Sequence, residues 1–520
     1  MDGIVPFPQQ TSFTMAVVTE KTPLVSSLHD RSSNQRDSRH HNEELSVTFA
    51  VAENGRGPSP RRVREGGVVR QLSDRLIVII AHHTGSIGWL GSMSIAVNSL
   101  TGPAMVNLPA TFARSGVIPT IGALVFVCFL SSFCSMHMSN TISKVAGNHN
   151  FKKEIEFSEA FRAFWGHRWF LVTQVIFFCC ITCLNISSIV DTGEVVDTFF
   201  GHWWPRGSGA FQISGSGDTH WIRWDYSICS EEQLHQGECI PFHDDPGTLI
   251  TVGKVVTTII FLPLALMDLK ENAAWQILGF AILIVTSLQF IIQFGMSGID
   301  FNNVSLWGSD WDDLLGVVLF NFALVIAIPA WLYEREPHVN VPTVIHGSTI
   351  LSTSLYICIG LLGNLAIPNV SQNMLESMMS GIMGRFMQIG ASIFAFAIIG
   401  LGIPLFSVLT RLNLTGSGLC SRRTGNILAV YFPFTVSLLV NDAGDVTKLL
   451  SWGGVIFTSL VAFILPLLVA LHVVKHYDNP GSITVYFGLL ESKSAHLCSL
   501  RVLLFLAITS VTIAIVGNFV

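Results

Sequence analysis

Asn98, Ser99, Leu100, Thr101, Gly102 and Pro103 follow one another in the middle of an otherwise apolar stretch, "GWLGSMSIAVNSLTGPAMVNLPATF". Pro103 has no N–H to give a helix, and its ring clashes with the preceding turn, so carbonyls around Ser99 lose their partners. In hydrocarbon, freed backbone groups survive only where protein, water or a ligand satisfies them. Polar side chains cluster beside the interruption, so an unwound, ligand-binding segment is expected; a plain proline kink is the alternative. A second stretch, "GVVLFNFALVIAIPAWLYEREP", carries Asn321 at its middle, Pro329 after it and Glu334 at its end. By itself this one reads as a kink.

Segments of this kind imply a membrane around them. Half of the 520 residues are hydrophobic and 12% are charged, where soluble domains carry about 25% charge. That excludes cytosolic enzymes and secreted disulfide scaffolds. A net charge of −6, from 29 basic and 35 acidic residues, argues against a nucleic-acid partner. The chain reads as an all-α polytopic membrane protein whose partner is the lipid bilayer; no protein partner is indicated. With about 20 apolar residues per crossing, eleven transmembrane helices are expected, at roughly 86–113, 117–138, 169–190, 249–268, 275–298, 314–333, 346–367, 386–410, 425–441, 449–472 and 500–520. Residues 1–84, rich in Ser, Arg, Gln and Asn, read as a disordered cytoplasmic tail ahead of a transmembrane domain, 85–520. They lack the apolar core of a signal peptide, so the first span is expected to act as the targeting signal.

Three signals give the orientation. With the tail in the cytoplasm, the cytoplasmic connections hold thirteen Lys and Arg against six on the other side, the bias of the positive-inside rule. Of ten cysteines, Cys229 and Cys239 alone fall in a hydrophilic outer loop, 199–248, where an oxidising compartment favours a disulfide. The sequons at Asn303 and Asn369 land outside as glycosylation sites, while the one at Asn413 faces the cytoplasm. The C-terminus then lies outside or in a lumen. The interrupted first and sixth spans each open a five-helix set, and the two sets have opposite orientation. Interrupted segments at corresponding positions of two inverted halves point to a midplane site between them. The halves are residues 85–298 and 313–472, with 500–520 as an added helix.

On "VNSLTGPAMVNLPATFARSGV", "FNFALVIAIPAWLYERE" and "YICIGLLGNLAI", the chain resembles the amino acid/auxin permease family of the amino acid–polyamine–organocation superfamily. The resemblance implies a LeuT-like fold with 5+5 inverted repeats and secondary transport of amino acids. It implies a substrate carboxylate at the N–H groups around Ser99 to Gly102, and a substrate amine at carbonyls of Asn321, Phe322 and Ala323. Thr182 and Asn185 on the third span and Ser392 on the eighth are side-chain candidates, each with a structural, interhelical role as the alternative. Asn98 matches an asparagine of sodium-coupled members. Gly400 and Gly402, however, stand where those members offer hydroxyls, which tilts the coupling ion from sodium toward the proton. Asp191, Glu194, Asp268 and Glu334 are the carboxylates nearest the membrane, all near span ends; none is singled out as a proton carrier.

No cofactor, metal motif or paired catalytic constellation is found, so an enzyme is not expected. His82 and His83 lack a third ligand. "GSGAFQISGSGDTHW" reads as a flexible outer loop, and "EKTPLV" resembles an acidic dileucine signal that tilts localisation from the plasma membrane toward a vacuolar or lysosomal one. The leading function is a transporter of neutral amino acids. The alternative is an amino acid sensor that signals through its N-terminal tail.

Overall fold

The computed structural model describes residues 86–520 except 102, 214–218, 230–240, 243–247, 300, 302–304, 368–369, 371–372, 380–382, 440–452, 478–482, 484, 487–491 and 520. The tail, Gly102, Cys239, Asn303 and Asn369 therefore lie outside the described residues.

The first span is two helices, α1 (Trp89–Leu100) and α2 (Leu108–Ser115), joined through a 3-10 turn over Pro103–Asn107. Then come α3 (Val117–Ser143), a short amphipathic α4 (Phe157–Trp165) and α5 (His167–Trp203). Strands β1 (Ser208–Ile213), β2 (Thr219–Trp224) and β3 (Thr248–Thr251) precede α6 (Val252–Ala265) and α7 (Leu269–Ser297). The sixth span is again two helices, α8 (Leu314–Phe320) and α9 (Ile328–Glu334), around a 3-10 turn at Leu324–Ile326. The chain continues through α10 (Val341–Ala366), α11 (Met374–Met379), α12 (Arg385–Phe394), α13 (Gly400–Gly416), α14 (Arg422–Asn426), α15 (Phe432–Leu439), α16 (Leu465–His476) and α17 (Lys493–Phe519).

Among the described residues, eight helical segments are long and apolar enough to cross a bilayer. The other three expected crossings are the broken first span, the 14-residue α6 and the helical stretch 422–439. Span ends shift too: α5 reaches Trp203 and α17 begins at Lys493.

Prolines leave a visible mark. Turns of π-helix at Ile427–Tyr431 and Leu460–Ile464 immediately precede Pro433 and Pro466, and a third at Ala395–Ile399 lies one turn before Pro404. A proline inside a helix cannot bond the carbonyl four residues back and crowds it; widening the preceding turn relieves the clash.

One expectation fails in part. The described residues of the segment taken for a flexible loop lie mostly in β1 and β2 of an antiparallel three-stranded sheet of order β2-β1-β3, so the fold is mostly rather than wholly helical. The reason is local. "GAFQI" and "THWIRW" are rich in β-branched and aromatic residues, and the Gly/Ser-rich stretch between them connects the paired strands. Buried Ala210, Trp224, Phe242 and Leu249 form a small core of their own here.

Helix α10 packs against α1, α2, α3 and α7, and α13 against α5 and α6. This places α10 beside the interruption of the first span.

Candidate functional site

At the first interruption α1 ends on Leu100. Thr101 leaves helical geometry (φ −80°, ψ 66°), but its N–H still donates to the Val97 carbonyl at 2.8 Å, as does its hydroxyl at 2.9 Å. Ser99 Oγ donates to Ala96 O at 2.8 Å. Residues 99–101 thus stand at the C-terminal end of a half-helix and offer carbonyls. This corrects the expectation that their N–H groups lie at a half-helix N-terminus; the unpaired N–H groups of a helix belong to its first turn, which starts beyond Gly102.

At the second interruption α8 ends on Phe320, and the chain resumes as α9 with Pro329 in its first turn. The Phe322 carbonyl accepts from Ser131 Oγ on α3 at 2.8 Å, and the Ala323 carbonyl from the Ile326 N–H at 3.2 Å. Asn321 Nδ2 donates to Val317 O at 2.9 Å.

One side chain joins the two interruptions. The Tyr356 hydroxyl, fully buried on α10, lies 2.6 Å from the Leu100 carbonyl and 3.2 Å from the Asn321 carbonyl. The Phe322 ring meets the tyrosine ring edge-on, with centroids 5.5 Å apart at 89°. Leu100, Asn321 and Phe322 are therefore brought together by Tyr356, which in the sequence is only the first residue of "YICIGLLGNLAI".

Asn98 Nδ2 donates to the main-chain and side-chain oxygens of Gln276 on α7, at 2.8 and 2.9 Å. Gln276 Nε2 in turn donates to Asn272 Oδ1 and to Leu401 O on α13, at 2.9 and 3.0 Å. This buried amide chain ties the first, fifth and eighth spans, and neither Gln276 nor Asn272 stood out in an apolar sequence. Asn185 Nδ2 donates to Ser407 Oγ at 2.9 Å. Ser407, rather than Ser392, is thus the hydroxyl of the eighth span that meets the third; Ser392 Oγ bonds Gln388 O within its own helix. In Asn98, Asn185 and Asn321 the amide nitrogen is held and the buried Oδ1 has no hydrogen-bond partner, and the Thr182 hydroxyl is likewise unpartnered. Buried acceptors in that state call for a donor from elsewhere.

The ends of the bundle are tied by exchanged segments. Where α1 begins, hereafter the near end, the Ile87 N–H donates to Glu334 O at 2.7 Å and the Glu336 N–H to Ile87 O at 2.9 Å. Lys270 pairs with Glu334 at 3.0 Å. At the far end, Val117 and Ile118 donate to the Ser305 and Leu306 carbonyls at 3.1 Å, and the Gly308 N–H donates to Ser115 O at 3.0 Å. Arg114 pairs with Asp313 at 3.5 Å. At the near end Glu156, 3% exposed, has its carboxyl pushed up to about 8, first by burial and then by the charges of Glu154, Glu159 and Glu334.

Eight cysteines are free among the described residues, and Cys229 is not one of them.

Comparison with known proteins follows the same lines. No curated protein matches the chain by sequence. Similar solved structures include MhsT in complex with L-phenylalanine, at 10% identity and a TM-score of 0.55 over 84% of this chain and 100% of that one. Another is Mhp1, a nucleobase-cation-symport-1 family transporter in a closed conformation with bromovinylhydantoin bound, at 10% identity and a TM-score of 0.50 over 84% and 91%. At that identity they establish the fold, the LeuT-like one. A family model for transmembrane amino acid transporter proteins matches residues 85–210, the part that holds the first broken span, and there the resemblance to the amino acid/auxin permeases is borne out.

Proposed function

We propose that this chain is a secondary active transporter of neutral amino acids that works by alternating access, with the proton as coupling ion. The observation that carries this reading is the pair of interrupted spans meeting at one buried hydroxyl, with a closure built at each end from exchanged segments. A central site between two closures is what alternating access requires. The side chains proposed to bind substrate (Asn98, Ser99, Thr101, Asn185, Asn321, Phe322 and Ser392) carry no full charge. A charged substrate side chain would lose its water without gaining a counter-ion, at a cost of several kcal/mol. Leu100, Gly102 and Ala323 contribute backbone. The unpartnered amide oxygen of Asn321, on the residue whose carbonyl faces Tyr356, suits a donor of an α-ammonium. The preference for protons over sodium is supported at Gly400, where the ring of Phe261 fills the space that a hydroxyl side chain would need.

In this reading the chain crosses eleven times, with the near end in the cytoplasm and the far end outside or lumenal, in a plasma, vacuolar or lysosomal membrane. Cys229 and Cys239 form a disulfide, and Asn303 and Asn369 carry glycans. Non-reducing peptide mapping checks the disulfide, and glycosidase shifts check the glycans.

The deciding experiment is counterflow in proteoliposomes with a panel of labelled amino acids at two pH values, with and without sodium. Saturable counterflow of neutral amino acids that changes with pH and does not need sodium is expected. Absence of saturable flux under all four conditions would sink the proposal, and a profile led by lysine or arginine would place a carboxylate in the site.

A further inference from the structure

Between the two closures, Tyr356 connects the broken spans directly. Its position is unusual in its donor count: one phenolic proton faces two main-chain carbonyls, Leu100 at 2.6 Å and Asn321 at 3.2 Å. A single O–H satisfies one acceptor well and shares itself thinly with a second. The Asn321 side-chain oxygen, on the same residue, has no partner. Among the described residues the junction is therefore rich in acceptors and short of donors, in a buried setting where unpaired carbonyls are costly.

A carrier that couples net movement of substrate to alternating access passes through two reorientations. In one the site is loaded and in the other it is empty. A loaded site has an ammonium, with three N–H donors, to hold the carbonyls of both half-helices. An empty site has none, and the same carbonyls still have to be held together while the halves move. The hydroxyl of Tyr356 sits where that donor is needed. Helix α10 holds it there by packing against α1, α2, α3 and α7, and the edge-on Phe322 ring fixes the orientation of the tyrosine ring.

We infer that Tyr356 is a positioning residue that stands in for the substrate ammonium in the empty carrier. Its hydroxyl cross-links the Leu100 and Asn321 carbonyls when no substrate is present and yields them when an ammonium arrives. The inference rests on the transporter reading above. It goes beyond that reading by separating the two halves of the cycle: the hydroxyl serves the empty return and competes with substrate in the loaded step.

The test uses the full-length protein in proteoliposomes, wild type and Tyr356→Phe, with labelled L-alanine and L-leucine. Counterflow, which needs only the loaded carrier to shuttle, should stay within about twofold of wild type, and its KM should fall rather than rise, because a competing donor is gone. Net uptake into empty vesicles needs the empty return and should drop about tenfold, the factor one lost hydrogen bond is worth. Equal loss of both fluxes, loss of neither, or a Tyr356→Phe chain that does not fold would each overturn the inference, the first and last by assigning the hydroxyl to substrate binding or to the fold. A wild-type protein without either flux overturns the transporter reading and this one with it. A working wild type with the wrong variant pattern overturns this one alone.

Discussion

The near and far closures are made by the same parts of the two halves with roles exchanged, yet they use different chemistry. At the near end, Ile87, ahead of the first span, pairs with Glu334 and Glu336 after the sixth; at the far end, residues 305–310, ahead of the sixth span, pair with residues 114–118 after the first. The exchange is the imprint of inversion between the halves. The near closure is surrounded by charge. Buried Arg411 donates to the Ala265, Leu266 and Met267 carbonyls at the end of α6 and to Asn426, and it pairs with Asp268; Lys270 pairs with Glu334, and Glu156 lies buried among other carboxylates. The far closure is mainly main chain meeting main chain. Gly116, at φ +85°, and Gly308 approach so closely that a Cβ on Gly308 would lie 1.9 Å from the Arg114 carbonyl. One end is therefore tuned by ionisation and the other by shape.

Breaking the near end at its most buried charge should have the largest effect. Arg411→Ala removes the donor to three helix-end carbonyls and leaves them unpaired, a loss of about 3 kcal/mol or more. Thermal unfolding in detergent should show a large drop in midpoint. An unchanged midpoint would mean that water reaches those carbonyls.

Next is the far end. Gly116→Ala puts a Cβ 2.4 Å from the Gly308 nitrogen, in a backbone conformation that side chains avoid, at about 1–3 kcal/mol of strain. Net transport should fall. Normal flux would show that the close approach is dispensable.

A pH-dependent effect also separates the ends. Glu156 is raised from the ordinary 4.5 to about 8, so the folded chain holds a proton that the unfolded chain releases. Stability from this group is complete below about 4.5, declines as pH rises from there to about 8, and levels off above. Glu156→Gln should flatten the melting midpoint against pH over that window. An identical slope in wild type and variant would remove Glu156 from the account.

The smallest effect is expected where the ends look most alike. The Lys270–Glu334 and Arg114–Asp313 pairs are both partly solvated, and such pairs are worth roughly 0–1 kcal/mol and weaken with salt. Lys270→Ala and Arg114→Ala should each move the midpoint only slightly, and less at high salt. A large, salt-insensitive loss at Lys270 would mean that the near latch depends on this pair.

Much of this architecture was legible in the chain itself. Asn98 to Pro103 announces a broken helix because proline removes a donor wherever it stands; Asn321 to Pro329 reads as a kink alone and as a break only in its pairing with the first. The apolar runs announce spans because a bilayer imposes a length. Both are local rules, satisfied within one segment. The outer sheet was missed although its alternation is also local, because a Gly/Ser-rich stretch outweighed two short strands.

The residues that join the halves obey no local rule. Tyr356 lies 256 residues from Leu100 and 35 from Asn321, and Gln276 lies 178 from Asn98. A tyrosine or glutamine in an apolar helix reads the same whether it faces a neighbour, a cavity or lipid. Likewise Arg411 reads as one more positive charge near a span end, until the fold brings the end of α6 against it. Sequence determined where the backbone must come apart, since that depends on covalent chemistry. Only the tertiary structure decided which donors close the gaps, since a hydrogen bond depends on distance and direction between segments far apart in the chain.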